Sequence, residues 1–177
     1  MSGRIKWGDR RFDFQLPPAL YPEQIERLRG MPVRLEDRLR TIPAVILTRR
    51  EGERWSIQEN AGHLLDIEPL FMKRVEEYEA GAATLHAADM TNRKTYEARH
   101  NERPIAAILS AFRRERTRLV DRLGGWEPAT FGRVAVHPRL KRLMNVTEML
   151  FFQAEHDDFH LARISELARL FAKGPGA

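Results

Sequence analysis

Apolar residues return along this chain at intervals of three and four, and the strict alternation of a half-buried strand is nearly absent. Four segments carry that helical period. The first begins near Pro22, where a proline is tolerated in the opening turn, and reaches about Arg40 with an expected break at Gly30-Met31-Pro32. Its second half spaces Val33, Leu35, Leu39 and Ile42 at helical intervals. The second opens at Ser56, which pairs with Glu59 as a capping box, and is expected to run to about Ala80, before Gly81. Pro69 inside it predicts a kink or a restart, because its ring displaces the carbonyl of Leu65. The third runs from about Pro104 to Leu123 and stops at Gly124-Gly125. The fourth opens at Asn145, with Glu148 in the reciprocal position, and continues to about Ala172 before Gly174-Pro175.

Two connectors, residues 81–101 and 124–144, have no strong pattern, apart from a short extended piece at Val134-Ala135-Val136. Connectors of about 20 residues are uncommon in compact domains and tend to form lids or binding loops. Four helices of similar length joined in this way predict an all-α fold, a four-helix bundle with two long connecting loops. The 177 residues suit one domain, with an N-terminal extension over 1–20 and core helices within about 21–172. No internal repeat of 20–50 residues is present.

Composition narrows the chemistry. With 42% hydrophobic and 31% charged residues the chain is neither disordered nor low-complexity. It has no cysteine, which excludes a disulfide scaffold, a Cys-ligated zinc finger, an iron–sulfur centre and a cysteine nucleophile. The first fourteen residues carry charge and no apolar run, so no secretory signal is expected there, and no stretch approaches the length that spans a bilayer. A soluble, cytoplasmic protein without a membrane partner is expected. The net charge of +5 and the pI near 10.0 invite a nucleic-acid partner. The basic residues, however, are scattered and interleaved with 25 acids, and only five of the 30 are lysines, so no nucleic-acid partner is expected.

The six histidines are 63, 86, 100, 137, 156 and 160. His156 and His160 lie four apart in the fourth helix, on a face shared with Met149, Phe152, Leu167 and Leu170, so both imidazoles are expected to point inward. His63 shares an inward face of the second helix with Ser56, Asn60, Ile67 and Leu70. Three imidazoles can hold one divalent ion and leave positions open for water or substrate, as catalytic rather than structural sites do. Without cysteine, that ion would be zinc, nickel or iron(II). Asp66 and Glu59 flank His63 and are candidates to orient a ligand or act as a base, although Glu59 already has a capping role. Asp157 turns away from His156, and Gln153 lies on the inward side, where it could hydrogen-bond a metal water. His86, His100 and His137, in the connectors, are expected to be solvated. Trp55, Trp126 and Phe131 either line a pocket or close the core. The sequence holds no phosphate-binding glycine loop and no nucleophile elbow.

The stretch Trp55 to Glu68 (WSIQENAGHLLDIE) and the later Glu155-His156-Asp157-Asp158-Phe159-His160 resemble the DinB-like superfamily, as does the approach from Phe12-Asp13-Phe14 through Tyr21-Pro22 to Pro32. The resemblance covers most of the chain outside the long connectors. It implies an up-down-down-up four-helix bundle, usually dimeric, with a divalent metal, commonly nickel or zinc, on His63, His156 and His160. Relatives include thiol-dependent S-transferases, isomerases and metal-dependent hydrolases. The expectation is therefore a metalloenzyme acting on a small molecule, with water or a low-molecular-weight thiol as nucleophile. The alternative is a non-catalytic metal- or ligand-binding homodimer. A second apolar stripe on the fourth helix (Phe151, Ala154, Leu161, Ala168) would serve such a dimer or pack against a neighbouring helix.

Overall fold

A computed structural model describes residues 5–172. Four long helices, α1 (Tyr21–Arg40), α3 (Ile57–Glu79), α5 (Ile105–Gly124) and α6 (Val146–Ala172), form the expected bundle. Short helices α2 (Ala44–Leu47) and α4 (Arg93–Glu97) occupy connectors, and β1 (Val134–His137) pairs antiparallel with β2 (Arg142–Asn145). The predicted helix ends hold to within a residue or so where caps determine them. Ser56 Oγ accepts the Glu59 N–H at 3.0 Å, and the Glu59 carboxylate accepts the Ser56 N–H at 2.9 Å. Asn145 and Glu148 make the same exchange at the start of α6, at 2.8 and 2.9 Å. The expected stop at Gly174-Pro175 lies outside the described residues.

Two apolar clusters set the direction of the chain. One joins the first half of α1 (Ile25, Leu28), the second halves of α3 and α5 (Phe71, Val75, Tyr78; Leu119, Val120, Leu123) and the first half of α6 (Val146, Met149, Leu150). The other joins the second half of α1 (Met31, Leu35, Leu39), the first halves of α3 and α5 (Ile57, Ala61, Leu64; Ile108, Phe112) and the far half of α6 (Ile164, Leu167, Ala168). Thus α1 runs with α6, and α3 with α5, in opposite senses: up, down, down, up. Because α3 and α5 are parallel, residues 80–104 must return along the bundle. That geometry explains a connector too long for a turn.

Between the clusters lies Arg116, 1% exposed. Its Nη2 donates to Glu68 Oε1 of α3 at 2.6 Å, and its Nη1 donates to Asp157 Oδ2 of α6 at 2.6 Å and to the Leu28 carbonyl of α1 at 3.2 Å. One guanidinium on α5 therefore reaches the other three helices. Burial opposes its charge, but the Asp157 and Glu68 carboxylates outweigh that and raise its pKa. The Leu28 contact corrects the expected break at Gly30-Met31-Pro32. Helix α1 is continuous there, because the carbonyl that Pro32 leaves without an intrahelical donor is taken by Arg116. An unbroken α1 also keeps the phase of Ile25 and Leu28, so Val33 is 54% exposed rather than inward. Pro69 likewise does not end α3, and Lys94 Nζ donates to the nearby Asp66 carbonyl at 3.1 Å.

Other expectations change as well. The connectors carry structure: α4, the β hairpin, and 3-10 turns at His100–Glu102 and Pro128–Gly132. His100 and His137 are buried, not solvated, because these connectors fold onto the bundle; His86 is exposed as expected. Leu170, in the last turn of α6, is exposed rather than inward. The stripe Phe151, Ala154, Leu161 and Ala168 packs within its own chain, against the two apolar clusters. The N-terminal segment is fixed across the hairpin and α6: Arg142 Nη2 donates to the Phe14 carbonyl at 2.8 Å, and Thr147 Oγ1 to the Pro18 carbonyl at 3.0 Å. Phe131 stacks on Tyr21 at 3.9 Å, closing the core beside Trp126. Among the described residues no helix is long and apolar enough to cross a membrane.

Arg116→Met leaves two carboxylates buried without a counter-charge, and is expected to lower the unfolding free energy by about 3–5 kcal/mol, read from urea denaturation. Combining it with Glu68→Leu and Asp157→Leu should restore much of that loss, since the cost lies in stranded charge. A second test uses His137. Burial, with Arg74 and Arg139 nearby, pushes its pKa down to about 3. The unfolded chain takes up this proton near pH 6.5 and the folded one does not. Stability should therefore fall as pH drops from about 6.5 towards 3, and His137→Gln should make that fall shallower.

Candidate metal centre

Helices α3 and α6 pack side by side, and His63 from one faces His156 and His160 from the other. The Nε2 atoms of His63 and His156 stand 3.3 Å apart, and one nitrogen from each of the three rings lies within 4.8 Å of the other two. All three residues are buried. Two nitrogens bound tetrahedrally to one ion at about 2.0–2.1 Å stand roughly 3.3 Å from each other, so the observed spacing fits a shared divalent ion.

The remaining ring nitrogens determine which atoms face inward. Asn60 Nδ2 donates to the carbonyls of Ser56 (2.7 Å) and Trp55 (3.3 Å), which fixes the amide and turns Oδ1 towards His160. His160 Nδ1 meets that oxygen at 2.9 Å and therefore carries the proton, leaving Nε2 as the lone-pair nitrogen. His63 Nδ1 lies 3.0 Å from Thr95 Oγ1, a hydroxyl able to accept from the ring or donate to it. His156 Nδ1 is buried without a hydrogen-bond partner. Burial lowers the His63 pKa to about 4, against an opposing pull from Asp66, and holds that of His156 well below the usual imidazole value, with His63 and Arg116 adding to the effect. Both rings are thus neutral and able to donate a lone pair at neutral pH.

The acids flanking His63 are placed differently from the sequence expectation. Asp66 Oδ2 pairs with His100 Nε2 at 2.7 Å, while Glu59 is held by the helix cap and by Arg50. The oxygens at the imidazole Nδ1 atoms belong to a threonine and an asparagine, not to carboxylates. Gly62 explains the close seat of His100, since a Cβ there would meet that ring at 2.2 Å. Asp157 belongs to the Arg116 layer, and Gln153 is buried with its Nε2 unpaired.

A cavity of about 690 Å³ opens onto the three imidazoles. Trp55 lies 4.7 Å from His63, and Trp7, from the N-terminal segment, packs edge-on to His156 at 5.1 Å. Ile67, Phe71 and Phe152 supply apolar wall, and Arg74, His137 and Arg139 also line it. Sequence reading missed Thr95, Trp7 and the arginines. Arg74 had a signal, since it continues the 63, 67, 70 ladder on α3. Thr95 and Arg139 had none, because connector folding brings them in.

No sequence among functionally curated proteins matches the chain significantly. Among solved structures, YfiT from Bacillus subtilis superposes with a TM-score of 0.78 at 17% identity, covering 92% of this chain and 94% of that one. It is described as a probable metal-dependent hydrolase with an unusual four-helix bundle topology. A mycothiol-dependent maleylpyruvate isomerase matches with a TM-score of 0.66 at 12% identity, over 87% of this chain but 63% of its own length. The colibactin self-resistance protein ClbS, solved with double-stranded DNA, matches with a TM-score of 0.64 at 13% identity, over 84% and 95% of the two chains. At these identities the likeness is one of fold. The sequence profile of the DinB superfamily matches residues 27–164, which include all three converging histidines, and the chain belongs to that superfamily.

Proposed function

We propose that this chain is a single-domain, divalent-metal-dependent enzyme in which His63, His156 and His160 hold the ion, zinc or nickel before iron(II). The convergence of three buried imidazole nitrogens on one cavity wall carries this reading. When bound, the ion supplies the acidity that turns water or a small thiol into a nucleophile near neutral pH. The chain's own groups do the rest. Asn60 holds the His160 proton on Nδ1, and Thr95, accepting from His63 Nδ1, would do the same there, so that the lone pairs face a common point. Trp7 and Trp55 shield the imidazoles from bulk water. Asp66 works as a positioning residue: it clamps His100 against Gly62 and biases the field at His63. Glu59 fixes the start of α3, and with it the register of His63. The kinship with YfiT and with a thiol-dependent isomerase favours hydrolysis or thiol transfer on a small molecule.

Elemental analysis of protein purified without a histidine tag should find about one equivalent of metal, and His156→Ala should retain almost none. Metal absent from both would overturn the proposal. Thr95→Val keeps the side-chain shape and removes the oxygen at His63, and should weaken metal affinity about 10–100-fold in a competition titration. A screen of thiols and of water against model electrophiles should show turnover that disappears in His156→Ala. Turnover equal in that variant would exclude metal-assisted chemistry, and stoichiometric metal with no turnover would mark a binding protein.

A further inference from the structure

A second group on the cavity wall takes no part in holding the imidazoles. Arg74 is 3% exposed; its Nε donates to the His86 carbonyl at 3.0 Å, and its Nη1 reaches the Met149 sulfur at 3.9 Å. Arg139, in the turn of the hairpin, is half-buried over the Phe152 ring, 5.5 Å from its centre. His137 accepts the Leu140 N–H on Nδ1 at 3.2 Å, which leaves the proton on Nε2, a buried atom with no hydrogen-bond partner. Among the described residues, neither guanidinium has a carboxylate within ion-pair distance. Arg116 shows the contrast, buried between two carboxylates. Burying positive charge with no counter-ion is unfavourable. Here the unpaired donors share a wall with an open cavity, where a ligand can supply the missing charge.

We propose that Arg74, Arg139 and the Nε2–H of His137 form a subsite for the anionic head group, a carboxylate or a phosphoryl, of the substrate. This deepens the function proposed above and rests on it for the reacting end of the molecule. His137 and Arg139 both pack on Phe152, which precedes His156 by four residues of α6, about 6 Å along the axis. The head group and the reacting atom are therefore separated by a few bonds, with apolar wall from Phe71 and Phe152 between them. Short, partly apolar carboxylic acids or phosphate esters match that layout, and their neutral analogues do not.

Calorimetric titration of the full-length, chelator-treated protein at low salt tests the subsite without any bound metal. The probes are phenylacetate, phenyl phosphate and neutral phenylacetamide. At least one anion should bind about tenfold or more tightly than the amide, and which anion does so identifies the head group. Arg139→Gln, a half-buried position outside the core, should remove that preference, and Arg139→Lys should keep part of it. His156→Ala should retain it. Equal binding of anion and amide, no binding of either anion, or an anion preference that survives Arg139→Gln would overturn the assignment. So would a preference lost in His156→Ala alone, which would place the anion on the imidazoles. Absence of metal from the wild type would defeat the catalytic proposal while leaving these titrations interpretable.

Discussion

One buried guanidinium holds the four helices in register. Arg116 sits at the waist between two apolar clusters and meets a carboxylate from α3, a carboxylate from α6 and a backbone carbonyl from α1. Apolar contacts alone would let neighbouring helices slide or rotate at small cost, because they are non-directional. An ion layer with a required geometry does not, since any slip strands a charge in a dry interior. Asp157 is the residue after His156, so the contact that fixes the rotation of α6 also aims His156 and His160 at His63.

The imidazole cluster shows the same dependence on fixed donors. A histidine ring can carry its proton on either nitrogen, and a site of three rings works only if each keeps a lone pair turned inward. Asn60 settles this for His160, through an amide held by two backbone carbonyls of the helix cap, and Thr95 brings a hydroxyl to His63 Nδ1 from a separate connector. The capping box at Ser56 therefore does more than start a helix. It orders the turn on which Asn60 and His63 are mounted.

The cavity is chemically asymmetric. One part of its wall is made of the three converging imidazoles, and another offers guanidinium and imidazole N–H groups that, among the described residues, have no carboxylate within ion-pair distance. Tryptophan and phenylalanine rings lie around both. Such a wall favours a ligand with distinct ends, held by charge at one and exposed to chemistry at the other.

Local physics made much of this legible in the chain itself. Helical period marked the four long helices, reciprocal Ser/Glu and Asn/Glu caps marked two of their starts, and an i,i+4 histidine pair with a third on an inward face marked the converging rings. The motif Gly30-Met31-Pro32 misled, because the carbonyl that Pro32 orphans finds its donor in Arg116, 88 residues from Leu28. The seats of His100, His137, Thr95 and Arg139 were likewise closed to sequence reading, since each depends on where a connector lands after the helices have packed. Periodicity and capping act between residues a few positions apart and so are written in the sequence order. Burial, the pairing of charges and the direction of a ring proton depend on groups far apart in the chain, and only the folded structure decides them.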